Sequence, residues 1–298
     1  CRIAGATCDV WDSGVAHGVA VAEIVHEVAP DAELYLATAL TASDLLAAVD
    51  WFAANGVTIV NRSLGAALDG PGDGTGPLDT VADHAVAAGI AWFNSVGNAA
   101  GREGRRGDYY RAPFTDTDGD GWHEFVNPYG PAAPGGPHED LAMRCTGTVL
   151  SSLRWSDWAD AAAATDYDLF VFSTRDPGRY HAAFDTAAAL AHPQLVTAGY
   201  DDQGAGAPPL EHLLDQCTGS TVYLAIRMAE ANGGTVGDTL ELMAEDDVEA
   251  WSDPYSAGYP VSDSANPGVF AIGAVDDDHT IAYYSSEGPT NDGRVKPD

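Results

Sequence analysis

Three short segments carry residue types that together suit acyl transfer. His17 opens the run His17-Gly18-Val19-Ala20-Val21-Ala22, and an imidazole at a helix start can exchange a proton near neutral pH. Asn61-Arg62-Ser63-Leu64-Gly65 follows an apolar, β-branched stretch. There Ser63, Leu64 and Gly65 can leave backbone groups open to an extended peptide added as a strand. Ser95-Val96-Gly97-Asn98-Ala99-Ala100-Gly101 follows another such stretch. Its small residues let a ligand approach the backbone, and the Asn98 amide can donate to developing negative charge. Each has an ordinary reading alone: a surface histidine, a strand-to-helix turn, a turn-forming asparagine. Together and in order they are specific.

A fourth segment suits a hard cation. In Asp116-Thr117-Asp118-Gly119-Asp120-Gly121, alternate carboxylates from Asp116, Asp118 and Asp120 on a tight glycine turn match the first half of a calcium loop, so Ca2+ is the expected ion. Position 12 of that pattern falls on Asn127 rather than a glutamate, and Glu124 can substitute. The competing reading is an acidic, solvated turn. Trp155, Trp158, Tyr167 and Phe170 suit either a carbohydrate- or peptide-binding platform or the aromatic core of a β domain.

The elements that must position these groups follow from periodicity. Val21, Ile24, Val25 and Val28 recur at helical spacing, and Pro30 ends that helix. Glu33–Ala39 reads as a strand. Ser43 is the expected cap of a second helix with Leu45, Leu46, Val49 and Phe52 on one face and Gly56 past its end. Val57–Asn61 is a strand, Leu78, Val81, Ala82, Ala85 and Val86 form a helical stripe, and Ile90–Val96 is a strand. Such alternation predicts a parallel sheet covered on both faces. After Gly101–His138, which has no period, Thr148–Trp155, Asp168–Ser173, Thr221–Met228 and Thr239–Ala244 read as strands of an antiparallel sandwich. The expected division is 1–100 as the first part of an α/β core, 101–143 as a connection with the acidic loop, 144–250 as an inserted sandwich, and 251–298 as the returning core.

The sequence resembles the subtilisin-like (subtilase) family of serine peptidases. The resemblance is carried by HGVAVA (His17–Ala22), APDAELYLA (Ala29–Ala37), IVNRSLG (Ile59–Gly65) and NSVGNAAG (Asn94–Gly101), and resumes at NPGVFAIGAVD (Asn266–Asp276) and YYSSEGPTNDGRVKPD (Tyr283–Asp298). It implies an α/β fold with a subtilisin-like parallel sheet, helices on both faces and the sandwich as an insertion. His17 is then the general base, Asn98 the side-chain oxyanion donor, and Ser63, Leu64 and Gly65 the strand that pairs with substrate. Losing such a donor costs roughly 3 kcal/mol, a magnitude taken from a member of that same family. Arg62 departs from the family pattern, which usually has Met or another apolar residue there.

The family order is Asp, His, Ser, with the serine in a Gly-Thr-Ser-Met-Ala motif shortly after a segment like Arg294–Asp298. No Gly-Thr-Ser occurs in the sequence, so the nucleophile is expected beyond Asp298 and the orienting aspartate before Cys1. Asp12-Ser13-Gly14 copies the aspartate's signature, but it follows no convincing strand and sits too close to His17; it reads as an exposed turn. The resemblance implies a serine endopeptidase acting on polypeptides, extracellular or at the cell surface, with no organic cofactor. The alternative is a non-catalytic relative that binds peptide or glycan through the groove or the β domain.

Composition narrows the partners. Among 298 residues, 45 are acidic and 13 basic, for a formal charge of −32; Lys296 is the single lysine. Such a charge opposes nucleic acid and anionic lipid, and it suits a high-salt environment where self-repulsion is screened. No apolar run is long enough for a membrane span, and nothing fixes the oligomeric state. No glycine-rich phosphate loop follows a strand. The 4 cysteines allow three pairings, with Cys1–Cys8 and Cys145–Cys217 favoured by proximity. The sequence reads as a piece of a longer chain.

Overall fold

A computed structural model of the chain describes residues 17–39, 41–64, 68–101, 108–125, 138–145, 148–159, 165–203, 207–216, 221–230, 237–244 and 262–298. Its elements run α1 (His17–Val28), α2 (Ala42–Ala54), β1 (Ile59–Arg62), α3 (Pro77–Ala87), β2 (Ala91–Ser95), β3 (Tyr109–Pro113), β4 (Leu141–Arg144), β5 (Thr148–Trp155), β6 (Asp166–Phe172), α4 (Thr186–Leu190), β7 (Leu195–Gly199), β8 (Leu210–Gln216), β9 (Thr221–Glu230), β10 (Thr239–Ala244), α5 (Ser262–Ala265) and β11 (Val269–Ile272).

The local chemistry of the helices explains their ends. Thr41, not Ser43, caps α2: its hydroxyl accepts from Asp44 N, and the Asp44 carboxylate accepts from Thr41 N, closing a capping box. Gly56 (φ +76°) then takes the chain out of the helix. Pro77 sits in the first turn of α3, where its missing N–H costs nothing.

β1, β2 and β11 form a parallel sheet in the order β1-β2-β11. Register sets Val60, Trp92 and Val269 in one row, and that row packs against Val49 of α2 and Val81, Ala82 and Ala85 of α3. The adjacent row, Asn61, Phe93 and Phe270, points the other way because side chains alternate across a strand. On that opposite face Phe93 and Phe270 stack at 4.8 Å, while Phe270 is 48% exposed and Ile272 49%. Helices therefore cover one face only among the described residues.

The expected subtilisin-like parallel sheet with helices on both faces is overturned. Among the described residues, eight of eleven strands lie in two four-stranded antiparallel sheets, β3-β10-β5-β8 and β4-β9-β6-β7, and three are parallel. The error has a physical source. Glu33–Ala39 has strand composition but pairs with no strand among the described residues and stays irregular, so it does not bring α1 onto the sheet as a fourth parallel strand. As a result α1 buries none of its side chains, and Ile24 and Val28 stay exposed.

The two antiparallel sheets pack face to face through Tyr110, Leu153, Trp155, Leu169, Leu224 and Leu242. The outer face of the second sheet is closed by Trp122, Phe172, Tyr180, Phe184 and Ala189. Trp155, Tyr167 and Phe170 are thus core residues, each at most 1% exposed, rather than a binding platform. Trp158 is half-buried and lines a cleft of about 520 Å³ with Asp69, Pro71, Asp73 and Pro77. Cys145 is buried and disulfide-bonded; Cys1, Cys8 and Cys217 lie outside the described residues. No helix among the described residues is long and apolar enough to cross a membrane.

Candidate functional site

Parallel pairing puts the carboxyl ends of β1, β2 and β11 along one edge, and the segments singled out in the sequence emerge there. Ser63 and Leu64 leave the end of β1; Leu64 is 53% exposed. Asn98 follows β2. His17, the first residue of α1, reaches this edge through its ring: Nε2 lies 2.8 Å from the Ser63 carbonyl oxygen. A carbonyl only accepts, so Nε2 carries the proton in this arrangement. Gly65, the last member of the expected substrate strand, and Asp12 and Asn127 lie outside the described residues.

The Asn98 loop is held from below. Val96 N donates to Ile272 O (3.0 Å), Ser286 N donates to Gly97 O (3.0 Å), and Ala100 N donates to Tyr284 O (3.2 Å). The Ser286 hydroxyl accepts from Ala99 N at 3.1 Å. Gly97 takes φ +102°, a conformation that side chains rarely adopt. These bonds fix the backbone on both sides of Asn98 and leave its exposed amide without a hydrogen-bond partner among the described residues. A donor so placed is available to a ligand.

Asn94 supports the same edge from the buried face. Its Nδ2 donates to Ser264 Oγ and to Ser95 O, both at 3.0 Å, and Ser264 Oγ donates to Ser95 O at 2.7 Å. Arg62 Nη1 reaches Asn94 Oδ1 at 3.4 Å and so ties β1 to β2. Sequence reasoning missed Asn94, Ser264 and Ser286 as positioning residues. Ser264 meets Asn94 across 170 positions of chain, a proximity no local pattern encodes.

The loop after β1 is fastened by the antiparallel sheets. Buried Arg154 on β5 donates through Nη1 to Gly70 O at 2.8 Å and through Nη2 to Glu241 Oε2 at 2.6 Å. Asn291 Nδ2 donates to Pro71 O (2.8 Å) and Arg294 Nη2 to Asp73 O (2.6 Å). Burial alone would push the Glu241 carboxyl up, but Arg154 and the Tyr109 hydroxyl outweigh it and hold Glu241 below the usual carboxylate range. Burial and the Glu241 charge push the Tyr109 phenol well above its ordinary value.

The acidic loop lies elsewhere, between the antiparallel sheets. One carboxylate oxygen from each of Asp116, Asp118 and Asp120 lies within 4.8 Å of the others. Asp116 accepts from the backbone N–H groups of Gly119 (2.7 Å), Asp120 (3.1 Å) and Gly121 (2.9 Å). Glu124 Oε1 accepts from Thr117 N (3.0 Å) and Thr117 Oγ1 (2.6 Å). Burial, then the charges of Asp118, Asp116 and Glu124, raise the Asp120 carboxyl above its ordinary range, against the opposing hydrogen bond from Trp122 N. Glu139 is raised too, by burial first and also by Asp120, Asp118 and Glu124. That fifth acid was not legible as a neighbour of the loop. His123 is no cation ligand here: Nδ1 accepts from Thr115 N (3.1 Å), Nε2 meets the Tyr110 hydroxyl (2.9 Å), and burial lowers its pKa to about 3.

Comparison with known proteins adds a likeness of fold. A solved structure of the CspB protease of Clostridium perfringens superposes on 87% of this chain with a TM-score of 0.52 and 12% sequence identity. The chain spans about half the length of that protease, covering 52% of it. No family model and no curated protein matches the sequence.

Proposed function

We propose that the edge formed by His17, Ser63, Leu64 and Asn98 belongs to the active site of a serine endopeptidase of the subtilisin-like family, acting on polypeptides outside the cell or at its surface. The observation that carries the reading is the meeting of three ordered motifs at one edge, with the His17 ring on the Ser63 carbonyl at 2.8 Å. The likeness to the clostridial protease fold supports it. The reading rests on these motifs and not on sheet architecture.

In this scheme substrate extends along the backbone after β1 as an added strand. That brings its scissile carbonyl between the imidazole and the Asn98 amide. His17 takes the proton of a serine hydroxyl as that oxygen attacks, so Nε2 must first give up its contact with Ser63 O and be unprotonated. The imidazolium then returns the proton to the leaving amine. Asn98 Nδ2 donates to the oxyanion of the tetrahedral intermediate, where a fixed donor contributes roughly 3 kcal/mol, the value coming from this family. The sequence contains no Gly-Thr-Ser, so no residue here is assigned as the nucleophile of this scheme, nor as the aspartate that orients His17.

The full natural polypeptide treated with a fluorophosphonate probe tests this. Labelling of one serine, abolished by His17→Ala, is expected. A natural polypeptide that resists the probe yet still binds peptide would establish the non-catalytic relative instead.

A further inference from the structure

We propose that Asp116, Asp118 and Asp120 form an oxygen-only site for a divalent cation of calcium type, with Glu124 on the same loop, and that the ion fastens this loop, which bridges the two antiparallel sheets. The separation of the aspartate oxygens is the first ground. Calcium holds oxygens about 2.3–2.6 Å away, so two ligands of one ion are at most about 5 Å apart. The three aspartate oxygens, all within 4.8 Å of one another, satisfy that limit.

The second ground is independent of the clustering. Asp120 is 9% exposed and Glu124 7%, yet Asp120 Oδ2 and Glu124 Oε2 are buried without any hydrogen-bond partner. A buried, unpartnered carboxylate oxygen is costly, and such groups are normally paired or bound to metal. The rest of each side chain is already fixed: Trp122 N donates to Asp120 Oδ1 at 2.8 Å, and Thr117 holds Glu124 Oε1. The free oxygens are thereby left over by an otherwise complete network.

No protein cation takes their place among the described residues. Arg227 is the nearby base, but its Nη1 donates to Thr186 Oγ1 and Met228 O, and its guanidinium stacks over Trp122. With His123 committed to Thr115 and Tyr110, the donor set is all carboxylate. That favours a hard ion over zinc or copper.

The place in the fold gives the ion its work. The loop leaves β3 in one sheet, and Glu124 N donates back to Thr115 O at 2.7 Å. Its far side joins the other sheet: Trp122 bridges Arg227 on β9, His123 N donates to Ile226 O at 2.8 Å, and Met228 N donates to Gly121 O at 2.9 Å. An ion on the three aspartates would therefore lock the two sheets together at this end.

The test uses the 298-residue chain, stripped with chelator and dialysed into molar KCl. There the Debye length falls to about 3 Å, which removes diffuse binding to the acidic surface. Calcium is expected to raise the melting temperature saturably, and terbium to luminesce on excitation of the adjacent Trp122. Asp120→Asn should abolish both responses while leaving the metal-free chain at least as stable, because it removes a buried unpaired charge. Asp118→Asn, at an exposed position, covers the case in which that variant fails to fold, and it should weaken terbium binding at least tenfold. Absence of a calcium-dependent shift in the wild type would overturn the proposal. So would a shift that survives undiminished in Asp118→Asn. Neither outcome touches the peptidase reading, since no activity is measured.

Discussion

Arg154 Nη2 donates to Glu241 Oε2 at 2.6 Å with the two side chains only 1% and 5% exposed. The pair joins β5 to β10 across one antiparallel sheet, and Arg154 Nη1 continues to Gly70 O beyond β1. The antiparallel layers thus hold the loop that follows the candidate substrate strand. Tyr109 and Asn291 complete the partners of Glu241.

Breaking that pair from one side leaves a charge buried and unmatched. Glu241→Leu is expected to destabilise the chain by about 3–5 kcal/mol in denaturant titrations. The double variant Arg154→Met/Glu241→Leu should lose clearly less than the sum of the single losses, because it removes both charges. Additive losses would show that the two side chains act independently.

Gly72 is expected to be intolerant of any side chain. Its φ is +71°, and an added Cβ would lie 2.3 Å from Arg154 Nη2 and 2.7 Å from its Cζ. Gly72→Ala should cost at least about 1 kcal/mol from backbone strain, and more as Arg154 is displaced. In an Arg154→Met background, which clears the guanidinium, the same substitution should cost less. Equal costs in the two backgrounds would contradict the contact.

Glu211 on β8 gives a pH signature. Burial pushes its carboxyl from 4.5 up to about 8, against hydrogen bonds from Gln203 and Asp201 N. The folded state therefore keeps a proton that the unfolded chain has released. This contribution to stability is fully present below about 4.5, and it is lost as pH rises towards 8. Its slope is at most about 1.4 kcal/mol per pH unit. Glu211→Gln keeps the acceptor oxygen and removes the titration. The wild type should therefore lose stability relative to this variant between pH 4.5 and 8; parallel stability curves would contradict the buried, protonated carboxyl.

Much of the site edge was legible because strands ending in Ser-Leu-Gly and Gly-Asn segments fall at the ends of apolar runs. β1 and β2 lie where those runs predict. The sheet they build was not legible. Glu33–Ala39 has the composition of a strand, yet a strand exists only where a neighbour pairs with it. β8 illustrates the converse: Leu210, Leu213 and Leu214 recur at helical spacing, but Leu210–Gln216 pairs with β5. β3, β4 and β7, at 5, 4 and 5 residues, are too short to show a period. The three aspartates of the acidic loop were visible at alternate positions, whereas the nearness of Glu139 depends on the tertiary fold alone.

The most direct measurement is the rate of peptide-bond hydrolysis by the full natural polypeptide and two of its variants at pH 7–8. His17→Ala is expected to lower kcat by about four orders of magnitude or more. Asn98→Ala should lower it by about 10²–10³ with KM little changed, because in the proposed scheme that amide acts only in the transition state. A wild type without hydrolytic activity, or variants that hydrolyse as fast as the wild type, would contradict an endopeptidase site at this edge.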